Sequence, residues 1–265
     1  MSNPIRSAHA PAAQALVPSP QPLRSRGSLS LCPDVTLVHG RAHEICGGAR
    51  RTLALWLATK TEGPVLWISP SWQSVDLHAE GVWHHFDPGR LIFLRVQRAE
   101  DLLWSVEEAL RSGAVPLVVA DLPGPPALTP VRRLHLAAEQ GGDLLGKRGT
   151  APTALLLTPD QGGAPGVESR WQMLPRHLPQ PDPRVQPGVP FGIEAAPVDR
   201  WKLNRLRARS QPPASWHVTP NPRSEHAPDA AGHRKNTPPF VETMQKSDGF
   251  CGTVAATLTL SKIPQ

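Results

Sequence analysis

The 265-residue chain has no tyrosine, only three cysteines and three methionines, and no long apolar run. Cys32, Cys46 and Cys251 lie far apart, and no C-x-x-C pair occurs. A structural zinc site of ordinary spacing is thereby excluded. A sparse, odd cysteine count fits a reducing cytosol. No stretch of ~18 apolar residues is present to span a bilayer. Ala12 to Val17 is too short and too closely bounded by proline for a secretory signal. A cytoplasmic protein without membrane contact is expected. No H-E-x-x-H helix and no G-x-S-x-G elbow occurs, so two common hydrolase designs are absent. The lack of tyrosine beside eight tryptophans excludes no function.

What the chain does have is proline, 32 residues of it, concentrated outside the middle. Such composition predicts a folded centre between disordered ends. The expected boundaries are a disordered tail over 1–30, a core domain over 31–218, and a Pro-rich, mostly disordered tail over 219–265. Thr253 to Leu260 is an isolated apolar stretch within that tail. The net charge of +6 and pI near 9.8 suit an acidic protein partner or DNA without requiring either.

Within the core, short apolar runs alternate with helical patterns, which predicts a parallel α/β sheet. Strands are expected at Val65 to Ser69, Leu91 to Val96, Val115 to Leu122 and Ala154 to Thr158. Further strands are expected at Arg170 to Leu174 and within Arg200 to Val218. Ala99 to Ser112 reads as a helix with Leu103, Val106 and Leu110 on one face and Gly113 as its stop. Thr129-Pro130 reads as a capped helix start, with the stop at Gly141-Gly142.

The segment from His43 to Ala58 resembles the phosphate-binding loop and helix of a RecA-type ATPase. A working loop reads G-x-x-x-x-G-K-[ST]: amides around the phosphates, a lysine on the terminal phosphates, a hydroxyl on magnesium. Here Gly47-Gly48-Ala49-Arg50-Arg51-Thr52 is too short and has no lysine. Arg50 or Arg51 would have to replace it, and a forked guanidinium does not reproduce a compact ammonium. Thr52 would supply the hydroxyl and Asp121 the carboxylate behind magnesium. RecA-type enzymes place a glutamate after the next strand, yet Ser69 to Gln73 holds no carboxylate, and none comes before Asp76. These residues mark a vestigial nucleotide site, so no ATP or magnesium cofactor is expected. The plainer reading makes Gly47 and Gly48 a tight turn, with Arg50 and Arg51 solvated and Asp121 capping its loop.

The order of segments is more specific than any one of them. Gly40 to Gly47, Gly63 to Ile68, Asp87 to Arg95, Asp101 to Val115 and Leu128 to Gly142 are similar to the ImuA-like proteins. Ser169 to Pro175 and Trp201 to Val218 are similar to that family's closing strands. These proteins are RecA-related accessory factors of bacterial mutagenesis cassettes. The resemblance spans about 31–218, and the family's usual ending is absent after Val218. It implies a RecA-like sheet, parallel with a mixed edge, sandwiched by helices. It also implies a non-catalytic role in SOS-induced translesion synthesis beside ImuB, a DnaE2-type polymerase and RecA.

Lys202, Arg205, Arg207 and Arg209 are the candidate contacts for DNA or a protein partner. Alternation on a strand would put Arg205, Arg207 and Arg209 on one face, where guanidinium groups meet phosphates or carboxylates. A solvated edge strand explains the same charges. His43, Glu44 and Cys46 match no metal pattern, and His43 and Glu44 are expected at the edge of the first strand. His84-His85 beside Trp83 reads as a surface turn. Two alternatives remain open: a DNA-dependent or nucleotide-gated ATPase of the RecA group, and a SulA-like cell-division inhibitor.

Overall fold

A computed structural model describes residues 27–73, 77–83, 85–146, 149–176 and 201–220, with two further strand segments at 242–245 and 261–262. Ala12 to Val17, Asp76, His84, Cys251 and Thr253 to Leu260 lie outside the described residues. So does most of the two ends for which disorder is expected, apart from 27–30, 219–220 and the segments 242–245 and 261–262.

The chain opens with a hairpin of β1 (Ser28–Cys32) and β2 (Val35–Val38). Then come β3 (Ala42–Cys46), α1 (Arg50–Ala58), β4 (Val65–Pro70) and the short α2 (Ala79–Trp83). β5 (Leu91–Val96), α3 (Ala99–Ser112), β6 (Leu117–Asp121) and α4 (Leu128–Leu145) follow. The core closes with β7 (Thr153–Thr158), β8 (Ser169–Pro175), β9 (Trp201–Ala208) and β10 (Ala214–Pro220). Short β11 (Glu242–Gln245) and β12 (Ser261–Lys262) both pair with β10.

The large sheet runs β11-β10-β9-β8-β3-β7-β6-β4-β5. From β8 to β5 every pairing is parallel; β8 to β9 and β9 to β10 are antiparallel. The expected α/β class, with a mostly parallel sheet, an antiparallel edge and helices on both faces, is the fold observed. Parallel strands buried on both faces read as continuous apolar runs. Leu117 to Ala120 and Ala154 to Leu157 are such runs, and all are fully buried.

Period two divides these residues between two cores. Val65, Trp67, Leu117, Val119, Leu155 and Leu157 face α1, the hairpin and α2. Ile68, Val118, Ala120, Ala154 and Leu156 face α3 and α4. The first side also holds Trp171 stacked on Trp216, with ring centroids 5.8 Å apart. No helix among the described residues is long and apolar enough to cross a membrane.

Three expectations need correction. Thr129 does not cap α4; the helix starts at Leu128, with extended Ala127 before it and no side-chain cap bond. Gly141 does not stop α4, which continues to Leu145. Its glycine is needed because a Cβ there would lie 2.0 Å from Leu110 O of α3, so the two helices touch through backbone. His43 and Glu44 are not at an edge. β3 lies between β7 and β8, and both side chains are buried.

Candidate functional site: the β3 to α1 loop and the polar sheet face

The loop from β3 to α1 is three residues long and clamped to β8. Gly47 has φ +90°, and a Cβ on it would meet Met173 O at 2.4 Å. Ala49 N–H donates to that same Met173 O at 3.0 Å, and Arg50 N–H donates to Gly47 O at 3.2 Å. Amides that would face a phosphate in a working loop are therefore spent on the protein's own carbonyls. Gly47→Ala combines left-handed strain with a backbone clash and is expected to cost about 2 kcal/mol. That corresponds to a fall in Tm of about 4–8 °C for a domain of this size. An unchanged melting curve would mean that β8 can withdraw from the loop.

Asp121 ends β6 directly beneath the start of α1, and its side chain is only 2% exposed. Arg51 Nε donates to Asp121 Oδ2 at 2.6 Å, and Arg51 Nη2 also pairs with Oδ2. Arg50 Nη2 stands 3.8 Å from Oδ1. The carboxylate expected behind magnesium is thus occupied by the arginines expected near the phosphates. Gly47, Gly48, Arg50, Arg51 and Asp121 do come together, but as an ion-pair cluster in which Arg51 holds Asp121 Oδ2 while Asp121 Oδ1 accepts no hydrogen bond from the described residues. Thr52 sits half-buried in the first turn of α1. Arg50 and Arg51 are about a fifth to a quarter exposed, which corrects the solvated reading.

On the opposite face, Glu44 organises the loop between β7 and β8. Its Oε1 accepts from Thr158 Oγ1 at 2.8 Å, Gly163 N at 2.8 Å and Ala164 N at 3.1 Å. Its Oε2 accepts from Ala164 N at 3.0 Å and from Arg170 Nε. Arg170 Nη2 in turn donates to Ala164 O at 2.8 Å. Residues with positive φ, Asp160, Gly162, Gly163 and Gly166, let the loop fold around this carboxylate. Sequence reasoning missed the cluster, because its members are spread from position 44 to 170.

Past Glu44 the same face stays polar across β8, β9 and β10. Asn204 Nδ2 donates to Gln172 Oε1 at 2.9 Å, and Ser215 Oγ donates to Asn204 Oδ1 at 2.8 Å. Lys202 belongs to this face, since it pairs in register with Leu174 and His217, two positions from Gln172 and Ser215.

The predicted arginine row does not form. Arg205 lies on the other face and is 7% exposed. Its guanidinium lies against both Trp171 and Trp216, at the side of the stacked pair, 5.5 and 5.1 Å from the ring centroids. Nε donates to Pro212 O at 2.9 Å and Nη1 to Asp34 O at 3.0 Å, and Nη1 also meets Gln211. The register shifts between Trp171, opposite Arg205, and Arg170, opposite Arg207, leaving Leu206 as the extra residue of a bulge. Arg207 is thereby carried to the Glu44 and Arg170 face, where it is exposed. Arg209 is 77% exposed and stands 3.8 Å from Glu168. Lys202, Arg207 and Arg209 remain surface candidates; Arg205 is part of the core.

His43 is built into the first core. Its Nε2 bonds to Val38 O at 2.9 Å and its Nδ1 to Ser169 Oγ at 2.7 Å, while Trp171 Nε1 donates to that hydroxyl at 2.9 Å. The carbonyl can only accept, so the proton of the neutral ring sits on Nε2. Burial pulls the imidazole from 6.5 down to about 4, against the bond to Val38. The unfolded chain therefore takes up a proton before the folded one does. The ring's contribution is full above pH 6.5 and drains away as pH falls from 6.5 toward about 4. At ~1.4 kcal/mol per pH unit the loss approaches about 3 kcal/mol. His43→Gln is expected to flatten that part of the stability-versus-pH curve, measured by urea unfolding at each pH. An unchanged slope would assign the acid sensitivity elsewhere.

Burial also raises both described thiols, Cys32 to about 11 and Cys46 to about 12, which keeps them protonated and unreactive. No group of three or more His, Cys, Asp or Glu that could hold a metal ion occurs among the described residues.

The chain is thus an α/β protein with a clamped strand-to-helix loop and a polar sheet face. No protein-family model matches it, and no curated protein matches it. Among solved structures, SulA from Pseudomonas aeruginosa is similar with a TM-score of 0.35 and 16% identity, over 44% of this chain and 98% of that one. A likeness that slight carries no function across.

Proposed function

We propose that the chain is a cytoplasmic, non-catalytic accessory protein of SOS-induced translesion synthesis. It acts through contacts with ImuB, a DnaE2-type polymerase and RecA. The observation that carries the non-catalytic part is the pairing of Arg51 with Asp121 at 2.6 Å, beside a loop whose Ala49 amide is bonded to Met173. Binding Mg·ATP there would require breaking a largely buried ion pair and releasing the loop from β8 together. The accessory role rests on the ordered resemblance of segments across about 31–218 to ImuA-like proteins. Lys202, Arg207 and Arg209 supply a basic surface for an acidic partner or for DNA.

Pull-down of ImuB, the polymerase and RecA by the full chain tests the reading. Reversing Lys202, Arg207 and Arg209 to Glu is expected to weaken capture at least about tenfold, a change of ~1.4 kcal/mol. No capture of any partner by the unaltered chain would sink the role. Turnover of ATP stimulated by single-stranded DNA and abolished by Asp121→Asn would replace it with a RecA-group ATPase. Division arrest on overexpression would replace it with a SulA-like inhibitor.

A further inference from the structure

We propose that β5 is the pairing edge of a twofold dimer, with a second copy of this chain as its occupant. β5 ends the sheet path and has β4 as its one partner among the described residues. Every second residue of such a strand directs its N–H and C=O to the open side. The usual protections of an edge are proline, a bulge, an inward-pointing charge or a covering element. Among the described residues none of these interrupts Ile92, Phe93 and Leu94, which are 49%, 54% and 37% exposed. Period two points Phe93 to the α1 side and Ile92 and Leu94 to the α3 side, so apolar surface flanks the open backbone on both faces.

The choice of a second copy rests on the two ends of the sheet being unlike. The other end is finished by β11 and β12, four and two residues long, laid on β10. Short strands of that kind blunt an edge. Among the described residues no second long open edge offers a complementary surface for head-to-tail growth, and the closed solution is β5 against β5 across a twofold axis. Such pairing is antiparallel and keeps each face on its own side. It therefore matches residues of the same parity. Centred on Phe93, it sets Phe93 opposite its own copy and Ile92 opposite Leu94. Arg95 then falls opposite Leu91, and Arg90 opposite Val96. No two arginines meet, and aromatic and branched residues pair across the strands.

Sedimentation velocity on the full chain is expected to give a dimer at about tens of micromolar, as for an interface of modest size. Phe93→Lys is expected to weaken association at least about tenfold without changing the far-UV spectrum or the melting curve, because the side chain is exposed. Register is tested in a Cys251→Ser background. Phe93→Cys is expected to form a disulfide between two copies under mild oxidation, since directly opposed residues lie ~4.5–5.5 Å apart. Arg95→Cys is expected to crosslink to Leu91→Cys but not to itself, since like copies would be ~13 Å apart. A chain that stays monomeric, a dimer indifferent to Phe93→Lys, or equal self-crosslinking at positions 93 and 95 would each overturn the proposal.

Discussion

Replacing Arg170 with alanine is expected to destabilise the fold by about 3–5 kcal/mol, enough to leave little of an ordinary domain's stability. Glu44 is fully buried, and its Oε2 would lose the guanidinium that pairs with it. Thr158, Gly163 and Ala164 would still donate to the carboxylate, but three neutral dipoles do not replace a guanidinium in a dry site. Ala164 O would lose its donor as well. The double change Glu44→Gln with Arg170→Met removes both charges, and it is expected to recover a large part of the loss. The two sites share one network, so their effects do not add. Urea unfolding with matched slopes measures both. A cost below about 1 kcal/mol for Arg170→Ala would mean that water reaches the pair after all.

Arg205→Ala is expected to cost about 3–4 kcal/mol, whereas Arg207→Ala, two residues on, should stay within about 0.5 kcal/mol. The first removes a cation packed against two stacked indoles, contacts worth ~2 kcal/mol or more each when desolvated. It also strips donors from Pro212 O and Asp34 O, and so unties the hairpin turn from β9. Lysine should rescue little, because it lacks the planar fork that stacks and donates at once. Equal costs for the two alanine variants would show that the bulge does not divide them. The comparison also decides how binding data are read: partner loss in an Arg205 variant would report unfolding, and partner loss in an Arg207 variant would report contact.

The elements legible in the sequence are those whose signal is local. Val65 to Pro70, Leu91 to Val96 and Ala99 to Ser112 carry their own periodicity and stops, and they form where expected. The hairpin was hidden although Leu29 and Leu31 alternate with serines, because its strands are short and adjoin a Pro- and Ser-rich tail. Ser28 to Ser30 therefore fall in β1 instead of the tail. Glu44 read as an edge residue because a carboxylate in a strand is cheap only when paired, and Arg170 lies 126 positions away. Arg51 and Asp121 each stand out in the sequence as candidates for a nucleotide site. Their pairing across 70 positions does not, since it depends on how far α1 leans over β6. The arginine row failed for a similar reason: strict alternation along β9 is broken by its register against β8.

The extra residue at Leu206 acts as a parity switch. Upstream of it, Arg205 is committed to the tryptophan core; downstream, Arg207 and Arg209 are delivered to solvent. Evolution can therefore rewrite charge at Arg207 and Arg209 without touching the part of the strand that holds the hairpin down. Deleting Leu206 would flatten the bulge yet keep this separation, because Arg207 would then follow Arg205 directly and still fall opposite Arg170, on the other face of the sheet.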